Sequence, residues 1–318
     1  MTTPAVGVDL GATKVLFTLV DDAGRILRSK RVATEAGRGP DHVIQLVIAG
    51  VGELLDGSGA ADQVVGIGVA AQVNRDGVVR FAPNLKWVDR PLRSEVEAGV
   101  NRPVRVLNDA RAAAVGEWRF GAGRGVSDLV CLFLGTGLGG GVVTGGRLLE
   151  GASNGAGELG HLTIVTGGRR CTCHARGCLE AYVGGWAIAE RALEAALARP
   201  ADGRALQEAE RASSEGLTAR EVIELATRGD PLSREIMAET QRHLSAGLVG
   251  IVNAFNPSLI VAGGGVLEGA PSLFPKALED ATPSMLPSLG EVVRGAPAAL
   301  GPDAVAVGAA EFARGGHL

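Results

Sequence analysis

The chain has no apolar run of about 18 residues, so no segment reads as a membrane-spanning helix. It also has no excess of positive charge. Its 31 Lys and Arg against 35 Asp and Glu leave a net charge of −4, which provides no broad basic field for nucleic acid or anionic lipid. Met1-Thr2-Thr3-Pro4 leads straight into an apolar strand pattern, without the basic start, apolar stretch and small-residue cleavage site of a signal peptide. The expectation is a cytoplasmic protein with neither membrane nor nucleic-acid partners. No low-complexity segment or solenoid period is present. Cysteine is scarce. Of the four, Cys131 stands alone in an apolar stretch and reads as a small buried core residue. The other three, Cys171, Cys173 and Cys178, are clustered, which in a reducing compartment favours a metal over disulfides.

What is present is α/β patterning over 318 residues, long for one core and suited to two domains. Residues 5–10, 15–20 and 26–33 read as strands and residues 41–55 as an amphipathic helix. Val64 to Val69 reads as a buried strand. Residues 72–90 look irregular, broken by Asn74, Asp76-Gly77, Pro83-Asn84 and Pro91. A short helix over 91–99, a strand from Pro103 to Leu107 and a helix from Ala110 to Trp118 follow. The opening pattern then recurs: a strand from Leu129 to Leu134, a Gly-rich turn over 135–141 and a returning strand from Val142. Helices are expected over 185–197, over 218–253 with a break at Gly229-Asp230-Pro231, and near 271–280. Leu259 to Ala262 reads as a strand running into Gly263-Gly264-Gly265, and 303–315 as a last helix able to return to the N-terminal half.

The two Gly/Thr tips, Gly11-Ala12-Thr13-Lys14 and Gly135-Thr136-Gly137, can each turn several backbone N–H groups toward an anion. Neither matches the Walker pattern, so no P-loop is present. One tip alone is equally what a plain hairpin looks like. Two matched tips and a third glycine cluster at Gly263, Gly264 and Gly265 point to a nucleotide. Asp9 is placed to hold Mg²⁺ through water, and Lys14 to meet a phosphate. Asn108-Asp109 stand where a strand ends and a helix starts, the edge at which open α/β sheets bind ligands. Asp109 could accept a hydroxyl proton during phosphoryl transfer, or simply cap the helix.

His161, Cys171, Cys173 and Cys178 form a Cys₃His set, the closed tetrahedral kind that marks a structural zinc. A Cys171–Cys173 disulfide would be strained at that separation and would leave one thiol over. His174 is an alternative ligand, better suited to facing solvent. Glu158 and Glu180 flank the cluster and could accept hydrogen bonds from sugar hydroxyls.

Several stretches together resemble the ROK family of bacterial sugar kinases and repressors, most closely its glucokinases. They are Val8-Asp9-Leu10-Gly11-Ala12-Thr13-Lys14; Ala82-Pro83-Asn84-Leu85; Asn108-Asp109-Ala110 with Gly116-Glu117; Leu134 to Gly141; Gly157-Glu158-Leu159-Gly160-His161; Cys171-Thr172-Cys173 with Gly177-Cys178-Leu179-Glu180; and Ala262 to Gly265. The resemblance covers nearly the whole chain. It implies two actin-like (ribonuclease H-like) α/β lobes with a ligand cleft: residues 1–110 with the C-terminal helix 303–318, and residues 111–302 with the zinc loop. It implies ATP-dependent phosphorylation of a hexose, glucose to glucose 6-phosphate first, with Asp109 as base. Asn84, Asn108, Glu158, His161 and Glu180 would contact sugar, Thr13 and Thr136 would lie by the phosphates, and Gly263 to Gly265 by the adenosine. N-acetylmannosamine, N-acetylglucosamine, fructose or allose are alternative substrates, and a non-catalytic sugar sensor is the alternative class. The family also implies a homodimer or homotetramer. The chain departs from the family pattern at Ala12 (usually Gly), Arg111 (usually Asn), His174 (usually Gly) and Ala70-Ala71-Gln72-Val73, where Pro-Gly is common.

Overall fold

The computed structural model describes residues 3–56 and 63–315. The chain forms two compact units. One takes the chain up to Cys131 with Gly141–Gly157 and the segment from Ala298 onward. The other takes Leu132–Gly140 and Glu158–Pro297.

The first unit is built on a sheet of order Ile26–Ala33, Lys14–Val20, Ala5–Leu10, Val65–Val69, Val104–Asn108. The first three strands are an antiparallel meander, and the last two run parallel to Ala5–Leu10. Ala5–Leu10 and Val65–Val69 are almost wholly apolar because both of their faces are covered. Ile26–Ala33 is an exposed outer strand whose Arg28 and Lys30 discourage further pairing. The expected 41–55 helix is Pro40–Leu55, with Pro40 at its first turn, where the missing N–H does no harm. Its buried Val43, Ile44, Val47, Val51 and Leu54 join Val8, Leu10 and Phe17 in one core, each contributing roughly 1.5–3 kcal/mol by burial. The last helix, Ala304–Arg314, returns to this sheet as expected; residues 316–318, also assigned to it, lie outside the described residues. Two strand glycines allow that close approach. A Cβ at Gly7 would lie 1.9 Å from the Ala306 carbonyl oxygen, and one at Gly66 would lie 1.8 Å from that of Ala309.

Residues 72–90 correct the irregular reading. Gln72–Val73, Val79–Ala82 and Trp87–Arg90 form a three-stranded antiparallel sheet. The expected breakers are its turns. The Asn74 side chain accepts the N–H groups of Asp76 and Val78, Gly77 takes a φ of 74°, and Lys86 N–H closes the next turn on Pro83.

A second sheet has the order Arg147–Leu148, Leu138–Thr144, Leu129–Leu134, Leu259–Gly263, Arg294–Pro297. Its returning strand starts at Leu138 rather than Val142, so the turn shrinks to Gly135-Thr136-Gly137, closed by Gly135 N–H on the Gly137 carbonyl. The helices Gly185–Ala198, Ala219–Arg228, Pro231–Phe255 and Leu273–Ala281 match expectation. The break at Gly229 is a left-handed C-terminal cap followed by Asp230, whose carboxylate caps Pro231–Phe255. Arg204–Ala212, Gly265–Gly269 and Arg294–Pro297 were not foreseen.

Candidate active site and metal centre

In the first unit the tip between Ala5–Leu10 and Lys14–Val20 is pinned from the outer strand's side. Gly11 N–H donates to Lys14 O, Thr34 N–H to Thr13 O, and the Thr34 hydroxyl to Gly11 O at 2.7 Å. Ala12, the first departure from the family pattern, packs partly buried against the apolar core. Asp9 precedes this tip. Burial, and then the negative charge of Asp109, push its carboxyl up to about 6, while Lys14 and Arg31 pull it down. Arg31 reaches this charge cluster by pairing opposite Leu16. Sequence reasoning missed both Arg31 and Thr34.

Asp109 is the first residue of the Asp109–Arg119 helix, at the carboxyl end of Val104–Asn108. The capping role falls to its neighbour: Asn108 Oδ1 accepts the Arg111 N–H at 3.1 Å. That leaves Asp109 for other work. Its Oδ1 accepts from Asn108 Nδ2 at 2.9 Å and from Ala110 N–H at 2.8 Å, yet burial holds its pKa above the ordinary carboxylate value. A carboxylate whose basicity is raised toward neutral pH is suited to proton abstraction. Asn84 lies exposed on the Pro83–Lys86 turn of the small sheet.

In the second unit Gly135 and Thr136 accept N–H groups from Gly185 and Trp186, the first residues of the Gly185–Ala198 helix. Gly135, Thr136, Trp186, the Ala219–Arg228 helix and Gly265–Gly269 surround a cavity of about 980 Å³. Of the third glycine cluster, Gly265 lines the cavity, Gly263 ends its strand, and Gly264 turns the chain at φ 100°. A Cβ on Gly264 would lie 2.4 Å from the Leu134 carbonyl oxygen, so only glycine fits.

Glu180 is buried behind the second tip. Its Oε2 accepts Leu138 N–H at 2.9 Å, and its Oε1 accepts the Thr172 hydroxyl at 3.1 Å and Trp186 Nε1 at 3.4 Å. One carboxylate thus joins the Gly/Thr tip, the cysteine loop and the cavity wall, and Thr172 and Trp186 are further residues that sequence reasoning missed. Glu158 is exposed, and its carbonyl accepts the His161 N–H.

The donor atoms of His161, Cys171, Cys173 and Cys178 all lie within 4.8 Å of one another. Cys173 Sγ is 3.7 Å from Cys178 Sγ, and Cys171 Sγ is 3.7 Å from His161 Nδ1. A tetrahedral zinc with Zn–S of about 2.3 Å and Zn–N of about 2.0–2.1 Å needs donor separations of roughly 3.6–3.8 Å, so the set fits. Burial and the neighbouring thiols push Cys178 up to about 12 and raise Cys171, a crowding that a divalent cation would relieve. His174 is exposed and outside this group. It sits at φ 72°, a conformation in which glycine costs nothing. Cys131 is buried, and burial raises its pKa far above the usual thiol value. Among the described residues no helix is long and apolar enough to cross a membrane.

Comparison with known proteins places this arrangement. The ROK family profile matches residues 5–315, and the chain belongs to the ROK family. A glucokinase of Streptomyces coelicolor is 37% identical over 264 residues, 82% of this chain and 81% of that one. The crystal structure of a ROK family glucokinase from Streptomyces griseus in complex with glucose and AMPPNP is 36% identical, with a TM-score of 0.81 over 98% of this chain and all (100%) of that one. A xylose repressor of Caldicellulosiruptor bescii is 32% identical over 81% of this chain and 65% of its own length. The fold is accordingly the actin-like two-lobe α/β fold of ROK sugar kinases.

Proposed function

We propose that this sugar kinase transfers the γ-phosphoryl group of ATP to the 6-hydroxyl of a hexose, glucose first, with Asp109 as general base. The observation that carries the reading is the setting of Asp109: at the carboxyl end of a strand, held by Asn108, and raised in pKa by burial. Glucose as acceptor is supported by the identity to glucokinases and the likeness to one crystallised with glucose and an ATP analogue.

Each residue has a definite task in this reading. Asp109 takes the hydroxyl proton as the sugar oxygen attacks, a contribution of about 10²–10⁴-fold in rate. Asn108 fixes the Asp109 carboxylate in one orientation. Asn84, Asn108, Glu158, His161 and Glu180 hold sugar hydroxyls. The tips Gly11–Thr13 and Gly135–Gly137 receive phosphate oxygens through backbone N–H groups other than those of Gly11 and Gly135, which close the turns, with Lys14 as a cationic partner. The cavity by Gly265 takes the nucleoside, with Gly263 and Gly264 leading the chain up to it.

Asp9, whose carboxyl is raised by burial and by Asp109, suits a water-bridged Mg²⁺; when bound, that ion would neutralise charge on the transferring phosphates. His161, Cys171, Cys173 and Cys178 would hold zinc, which when bound would fix the His161 ring and the loop carrying it. The reading carries with it a cytoplasmic site of action and a homodimer or homotetramer.

The test is a coupled ADP-release assay with Mg²⁺-ATP against glucose, mannose, fructose, allose, N-acetylglucosamine and N-acetylmannosamine. Turnover is expected on glucose above the rest, with kcat of roughly 1–100 s⁻¹. Preference for another sugar would replace the substrate, and no turnover on any sugar by folded, metal-loaded protein would remove the reading.

A further inference from the structure

Arg111 is one of the largest fully buried side chains, 2% exposed, and it lies two residues after Asp109 on the first turn of the same helix. Its Nη1 donates to both oxygens of Asn154, the main-chain carbonyl at 2.7 Å and Oδ1 at 2.9 Å. Asn154 is itself buried and sits at φ 63°. Its side-chain amide donates onward to the carbonyls of Val73 at 3.1 Å and Asn74 at 3.4 Å. The same segment is gripped at its other end, where Asn108 Nδ2 reaches the Ala71 carbonyl at 3.4 Å while also donating to Asp109 Oδ1. Arg75 adds a bond to the Gly151 carbonyl at 2.8 Å. The helix start, the Ala71–Asn74 segment and the Gly151–Gly157 stretch thus share one polar network, whose buried centre is a guanidinium.

We propose that Arg111 is a specificity-determining positioning residue: it fixes Ala71–Asn74 and Asn154 beside Asp109, and so sets the shape of the wall that meets the sugar. The proposal rests on the hexose-kinase reading above. Asparagine, usual at this position in the family, is too short to carry a charge-assisted bond to both Asn154 oxygens while standing on the helix. Lysine brings the charge without the planar fork. This chain also lacks the common Pro-Gly at residues 70–73. Without that Pro-Gly turn the Ala-Ala-Gln-Val segment is tied instead through its carbonyls, and Arg111 through Asn154 is the anchor at its strand end.

A purely structural staple and a specificity residue differ in what their loss changes. The experiment compares Arg111→Met, Arg111→Lys and Asn154→Gly with the unaltered chain; glycine keeps the left-handed backbone at 154 while deleting the side-chain relay. Each protein is measured for Tm, for glucose and ATP KM, for the ranking of glucose against sugars altered at C2, and for amide hydrogen exchange across residues 71–74. In Arg111→Met the glucose KM should rise roughly ten-fold with ATP KM held within about two-fold, inside the up to about 100-fold that a 1 Å misplacement can cost. The C2 ranking should flatten, exchange at 71–74 should quicken, and Arg111→Lys should recover part of each effect. If Arg111→Met fails to fold, Asn154→Gly carries the same expectation. A lowered Tm with unchanged glucose KM and sugar ranking would reduce Arg111 to a staple and overturn the proposal alone. Absence of turnover by the unaltered chain would overturn the kinase reading and the specificity role with it.

Discussion

The two Gly/Thr tips share a local pattern, strand to tight turn to strand, and differ in what surrounds them. Gly11–Lys14 is held by a threonine just past the outer strand and stands among charges: Asp9, Asp109, Lys14 and Arg31. Gly135–Gly137 is held by the start of a helix and by the buried Glu180, and it borders a cavity. A shared turn makes each able to meet an anion. In the proposed reading the surroundings then divide the work, charge and proton chemistry at the first tip, nucleoside space and the His/Cys loop at the second. Function in this fold is assigned by what packs on the turn more than by the turn itself.

The largest effect that would sharpen the contrast belongs to the second tip alone. Cys173→Ser removes one of the four proposed metal donors, and structural zinc in small peptides contributes about 10–16 kcal/mol of apparent binding energy. Metal content by mass spectrometry should fall from one per chain to a small fraction. Through Thr172 and Glu180 the loss should reach the Leu138 N–H bond, raising nucleotide KM, while the titration of Asp9 in the first unit stays put. A retained metal would show that the ligand set is wrong.

The next effect belongs to the first tip. Asp9 has a folded pKa of about 6 against an ordinary 3.8, so the folded state binds its proton more tightly than the unfolded state does. Stability from this group is therefore complete below pH 3.8 and is lost as pH rises to about 6. Asp9→Asn removes that loss, so without Mg²⁺ it should gain up to about 3 kcal/mol at pH 7 relative to pH 4. Denaturant melts at the two pH values measure it, and equal differences at both would contradict the electrostatic account of the first tip.

The smallest effect on folding is Gly135→Ala. A Cβ there meets nothing within 4 Å, so Tm should stay within a degree or two, an effect inside the roughly ±0.5 kcal/mol usual for unconstrained positions. ATP KM should nevertheless rise, because the methyl would occupy the approach to the backbone N–H groups. An unchanged KM would remove the phosphate role from this turn.

Which parts of the molecule could be read beforehand follows from how local their causes are. The hairpins at 5–20 and 129–144, the helix over 40–55 and the return of 304–314 are stated by apolar periodicity and glycine placement within one stretch. The grouping of His161 with the three cysteines was visible because cysteine and histidine are rare enough to stand out. The small sheet over 72–90 stayed hidden because its strands are only two to four residues long and its turns hold the breakers. Arg204–Ala212 buries a single residue, Leu206, so it has almost no apolar stripe to read. Arg31, Thr34 and Thr172 gain their roles from partners that register or loop closure brings near, and neighbouring residues do not announce them. Arg111 was visible as a departure from the family pattern, but its grip on Asn154 spans 43 positions and needed coordinates.

The central claim is that Asp109 is the base of a hexose kinase, and the most direct measurement pairs turnover with binding for Asp109→Asn. The account predicts that ATP-dependent glucose phosphorylation falls by about 10²–10⁴-fold or more, while glucose binding by calorimetry stays within a few-fold of the unaltered chain. Turnover near the original rate, from a folded variant that still binds glucose, would contradict it.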